Sequence, residues 1–91
     1  MFDYEFILNN LKKFHQESSL VVKYNNEQVS EYIDVGEYGL AIDTISYGYV
    51  KNHTLMSAKL FDIFENLVKT MDLLDDPEYE SVKYLMHRQN K

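Results

Sequence analysis

Apolar side chains recur in this chain at steps of three and four residues, and that spacing constrains its fold more than any other feature. It is clearest in residues 58–73, where Leu60, Phe61, Phe64, Leu67, Val68 and Met71 form one stripe and Asp62, Glu65, Asn66 and Lys69 stay polar. Ser57 is the expected N-cap of that helix. Residues 2–17 repeat the pattern with Phe2, Phe6, Ile7, Leu11 and Phe14. Asp3 and Glu5 near the start and Lys12, Lys13 and His15 near the end suit the helix dipole.

The middle of the chain reads the same way. Residues 26–35 form a short helix capped by Asn25 or Asn26, with Val29, Ile33 and Tyr32 turned inward. Gly36 stands where a left-handed residue ends a helix. The next helix runs from about Glu37 to about Asn52. Tyr38, Ala41, Ile42, Ile45 and Tyr49 make its stripe, and Asp43, Ser46 and Tyr47 lie away from the stripe's centre. Gly39 and Gly48 lower helix propensity and are read as points of close helix–helix approach. Pro77 suits the first position of a last helix, with Asp76 as cap, Glu78 and Glu80 in the first turn, and Val82, Leu85 and Met86 on its apolar face. Lys83, Arg88 and Lys91 load the far end with positive charge. Only residues 20–24, L-V-V-K-Y, favour an extended conformation. A lone strand has no partner, so the segment is either a linker or a turn that plugs the core. The whole predicts an all-α, single-domain bundle of four to five short helices spanning residues 1–91.

Reactive chemistry is sparse. There is no cysteine, so neither a disulfide framework nor a thiolate metal site exists. His15, His53 and His87 fall on different segments, without metal-ligand spacing. No phosphate-binding glycine loop is present, and Gly36-Glu37-Tyr38-Gly39 has acidic neighbours that repel phosphate. The run from Asp72 to Glu80 lacks the glycine and ligand spacing of a calcium loop. No catalytic residue, cofactor or metal is therefore expected. The acidic N-terminus is unlike a secretory signal. No apolar run approaches the roughly 20 residues of a membrane span. The expected location is the cytoplasm, with no membrane contact.

Charge is concentrated. Residues 25–50 hold five acids and no Lys or Arg, so they supply −5 of the net charge of −6. The same region, from Glu31 to Val50, holds all three glycines and four of the eight tyrosines. A pI near 4.9 argues against direct nucleic-acid binding, which needs cations for the phosphates, and favours a basic protein partner. Tyrosine combines a rigid apolar ring with a hydroxyl and is favoured at contact surfaces. Glu31, Tyr32, Asp34, Glu37, Asp43 and Tyr47 form one candidate contact cluster. Asp75, Asp76, Glu78 and Tyr79 form a second. Acids would steer a cationic partner and tyrosines would supply buried area. For Tyr38 and Tyr49, on the apolar stripe, a core position is the simpler reading. The acids of the second cluster also serve as helix-start charges.

The run G-E-Y-G-L-A-I-D (Gly36–Asp43), then a helix, a turn with Leu55 and Ser57, and A-K-L-F-D-I-F-E-N-L-V-K-T-M-D-L ending at Met71-Asp72-Leu73, resembles the MafI-like immunity proteins of bacterial toxin systems. That family includes immunity partners in contact-dependent growth inhibition. The resemblance covers about the middle half of the chain. It implies a small cytoplasmic helical antidote that binds one cognate basic toxin domain, a ribonuclease or another nuclease, one to one. It implies a scaffold role for the motif itself, with contacts supplied by the surrounding acids and tyrosines. The rival expectation is a helical adaptor or homodimerising regulator without a toxin partner.

Overall fold

The helix from Tyr38 to Lys51 carries so many small and apolar residues that most of its circumference must be covered. The computed structural model describes residues 3–89 and places this helix, α3, at the centre. It is preceded by α1 (Tyr4–Ser18) and α2 (Asn26–Asp34) and followed by α4 (Ala58–Thr70) and α5 (Pro77–Gln89). No strand occurs among the described residues, and the chain is an all-α bundle of five helices. Phe2 and Lys91, expected in the first stripe and at the basic end of the last helix, lie outside the described residues, as does the side chain of Arg88.

Helices α2 and α5 pack against α3, and α1 also contacts it; α4 packs on α1. Ala41, Ile42, Ile45 and Tyr49 of α3 meet Ile7, Leu11 and Phe14 of α1, Val29 and Ile33 of α2, Phe64, Leu67 and Val68 of α4, and Val82 and Met86 of α5 in one core. Phe14 and Phe64 stack with ring centres 5.7 Å apart, and Phe64 also meets Tyr79 at 5.8 Å. Full burial of each such side chain contributes roughly 2–3 kcal/mol. Tyr49 is fully buried, and its hydroxyl donates to Ser18 Oγ at 2.9 Å, joining α3 to the end of α1. Burial pushes the Tyr49 phenol above its usual pKa, against the pull of the Ser18 hydrogen bond.

Helix ends follow local chemistry. Asp3 and Ser57 accept from the backbone N–H groups of Phe6 and Leu60, and Asp76 accepts from Glu78 N at 2.8 Å. Asn25 departs from its expected capping role. It sits at φ +50° and makes no side-chain cap; its amide donates to Gln28 instead. Helices α2, α3 and α4 close by one device. A residue at positive φ follows the C-cap: Gly36, His53 and Asp72. The next N–H, from Glu37, Thr54 or Leu73, donates to the carbonyl of Tyr32, Tyr49 or Val68 five residues back.

Three expectations are corrected. Ser46 is fully buried rather than peripheral, because α5 covers that flank of α3; its hydroxyl is satisfied by Ile42 O at 2.7 Å. Residues 20–24 form the core-plugging turn that was one of the two expectations for them. Two turn bonds from Leu20 and Val21 to Glu17 and Ser18 carry the chain past α1, and Val22 alone enters the core. Gly48 does allow a close approach, but by this segment and not by a helix. A Cβ there would lie 2.9 Å from Val22 Cγ1 and 3.0 Å from Tyr24 Cβ. Gly39 has nothing within 4 Å of that position, so its small size serves no packing. Among the described residues, no helix is long and apolar enough to cross a membrane.

The two glycines therefore respond oppositely to the same change. Gly48→Ala should lower the free energy of unfolding by about 1–3 kcal/mol through overpacking against Val22 and Tyr24. Gly39→Ala should raise it by up to about 1 kcal/mol through helix propensity. Denaturant unfolding of both variants checks the pair.

Candidate functional site: an acidic face with a tyrosine groove

On α2, Glu27, Glu31 and Asp34 follow at steps of four and three residues, so they line one face. That face is roughly opposite Val29 and Ile33, which enter the core, and all three carboxylates are exposed. Glu37, exposed at the start of α3, extends the series beyond the helix. Tyr32 is half-buried against the core. Asp34 shares a small groove with Lys12 and His15 of α1, so its charge has one cation, Lys12, nearby. Burial pushes His15 below its usual pKa.

The remaining exposed strip of α3, between α2 and α5, carries Leu40, Asp43, Thr44 and Tyr47. Tyr47 is 44 % exposed. Its ring lies 5.4 Å from that of Tyr24, with planes tilted by 53°. Tyr24 belongs to no helix and was invisible as a site residue in the sequence. Its position is set by the close passage of the 22–24 segment over Gly48.

The structure brings part of the second cluster to the first. Asp43 of α3 faces Asp76 and Glu78 at the start of α5, and the carboxyls of Asp43 and Asp76 are close enough to share a hydrogen-bonded proton. Burial, then the charge and hydrogen bond of Asp76, then the charge of Glu78, push Asp43 up to about 6. Burial and Asp76 push Glu78 up as well. Asp75 is exposed in the loop before α5. Tyr79 is corrected: it is only 6 % exposed, its ring packs on Phe64 and its hydroxyl donates to Glu65 Oε2 at 3.1 Å, so it offers a partner almost no surface. The sequence placed it even-handedly on α5, and only the seat of α5 on α3, which brings its side chain to Phe64 and Glu65 of α4, decides its direction.

On another side lies a groove of about 480 Å³ that the sequence did not announce. Leu20, Val21, Leu55, Met56, Leu60 and Ile63 form its apolar lining, with Glu17 and Lys59 at its edge. Leu20 and Val21 are 71 % and 57 % exposed. Among the described residues, no group of three His, Asp or Glu could hold a metal ion. No family model, no curated protein and no solved structure matches the chain.

The carboxylates at the α3–α5 junction work against the fold at neutral pH. Asp43 binds its proton more tightly in the folded chain than in the unfolded one. Stability from this group is therefore present near pH 4 and lost as pH rises through about 6. Asp43→Asn should leave stability unchanged near pH 4, flatten the decline, and raise stability at pH 7 by about 1 kcal/mol, a figure discounted for the partial exposure of the group. Urea unfolding from pH 4 to pH 7.5 reads it. A variant less stable than the parent at pH 7 would contradict the arrangement.

Proposed function

We propose that this chain is an immunity protein that binds and neutralises one cationic toxin domain, a ribonuclease or another nuclease, in a one-to-one complex. The observation that carries the reading is the placement of unbalanced carboxylates. Glu27 and Glu31 on α2, Glu37 at the start of α3, and Asp43 with Asp76 and Glu78 at the α3–α5 junction occupy α2, α3 and α5. Residues 25–50 bring no Lys or Arg to offset them. Such a face accelerates encounter with a basic surface and resists nucleic acid. The resemblance of Gly36–Asp43 and the following helix to MafI-like immunity proteins agrees with it in size and helical class. The cytoplasm, where a nuclease would act, is the location this reading requires.

The test is direct. Mixed with a basic toxin domain found in a neighbouring reading frame, the purified chain should form a one-to-one complex by light scattering and abolish that domain's activity. Glu27→Lys, Glu31→Lys and Glu37→Lys together, all at exposed positions, should slow association about tenfold at low salt. An unchanged association rate discards the electrostatic mechanism. Absence of both complex and protection discards the reading.

A second reading, a homodimerising module, is favoured by the apolar groove at Leu20, Val21 and Leu55. Glu17 and Lys59 at its edge could pair reciprocally across a two-fold axis. Sedimentation of the free chain distinguishes the two: a monomer at micromolar concentration argues for the first reading, and a dimer broken by Leu20→Lys argues for the second.

A further inference from the structure

Beside the carboxylate stripe of α2 lies an open groove. Tyr24, Asn25 and Gln28 form one wall, and Asp43, Thr44 and Tyr47 of α3 form the other. It combines three features. The first is a pair of aromatic rings in contact, Tyr24 and Tyr47, at 5.4 Å. The second is a carboxylate in the wall, Asp43, with Asp76 and Glu78 adding negative charge from the start of α5. The third is a cation already drawn to one of those rings: Lys51 Nζ lies 5.3 Å from the centre of Tyr24.

We infer that this groove is the seat of an arginine side chain from the cationic partner, its guanidinium plane lying against Tyr47 and its N–H groups donating to Asp43. The inference rests on the reading of the chain as a receptor for a basic protein. Guanidinium fits better than ammonium for physical reasons. It is flat, so it stacks on a ring. Its five N–H donors can be shared between a carboxylate and the side-chain oxygens of Gln28 and Thr44, whereas an ammonium directs its three donors from one point. Thr44 already donates its own proton to Leu40 O at 2.8 Å, so its hydroxyl oxygen is left as an acceptor. Guanidinium is also the more weakly hydrated cation and loses less on leaving water. A cation seated against Asp43 would relieve the repulsion among Asp43, Asp76 and Glu78 that otherwise works against the fold.

Titration of the free chain with N-acetyl-arginine amide, with N-acetyl-lysine amide as the comparison at constant ionic strength, tests the seat by NMR. The expected result is saturable shifts of the Tyr24 and Tyr47 ring signals and of the amides of residues 43–47, with the arginine compound binding several-fold more tightly than the lysine compound. Tyr47→Ala and Asp43→Asn should each weaken arginine binding fivefold or more. The Asn variant is expected to gain stability, so its loss of binding could not come from misfolding. Shifts spread evenly over the acidic stripe, equal affinity for the two compounds, or unaltered affinity in both variants would overturn the inference. A toxin complex that forms while the arginine titration fails removes the groove and leaves the proposed function standing. Arginine binding without any toxin complex does the reverse.

Discussion

The buried hydroxyl of Tyr49, donating to Ser18 Oγ at 2.9 Å, is the polar contact that ties the central helix to the end of α1 inside the core. A fully buried tyrosine with no partner for its hydroxyl would cost about 1–3 kcal/mol. The hydrogen bond fixes α3 against the end of α1, across 31 residues of chain. With α1 fixed there, α2 and α5 pack on α3 and only a narrow strip of it reaches solvent. That strip, with Asp43 and Tyr47, is the surface the acids of α2 and α5 adjoin. The same geometry obliges residues 22–24 to pass over Gly48, and their passage delivers Tyr24 to Tyr47. Core and candidate site are thus consequences of one packing choice.

The electrostatics of the bundle are uneven. Residues 1–24 and 51–74 each balance three lysines against three acids, whereas residues 25–50 have no cation. At Asp43 the imbalance carries a local cost, because burial and two neighbouring carboxyls resist its ionisation. Groups that oppose the fold concentrate where a surface is shaped for something other than stability. An acid repelled by its own neighbours is better accommodated when a cation approaches, so the same local arrangement that weakens the free chain favours an incoming basic group.

Much of the fold was legible in the sequence. The stripe of residues 58–73, Ser57 as cap and the Asp76–Pro77 start report chemistry that acts within a turn or two, and each element stands within a few residues of its expected bounds. Gly36 stops its helix as expected. His53 and Asp72 do the same work without glycine, and nothing in their identity says so. Ser46, Tyr79 and Tyr24 were misjudged or overlooked because their directions depend on helices distant in sequence. Ser46 is buried by α5, Tyr79 by α4, and Tyr24 is positioned by Gly48. The meeting of Asp43 with Asp76 and Glu78 has the same origin: residues more than thirty apart become neighbours only once α5 lies along α3.

On the proposed function, one side of the bundle, built from α2, the exposed strip of α3 and the start of α5, receives a basic protein. Hydrogen exchange of the chain, free and mixed with the cationic protein proposed as its partner, decides it. The expected result is added protection in residues 24–47 and 75–79, with α1 and α4 unchanged. Protection confined to α1 and α4, or to the groove at Leu20 and Leu55, would contradict it.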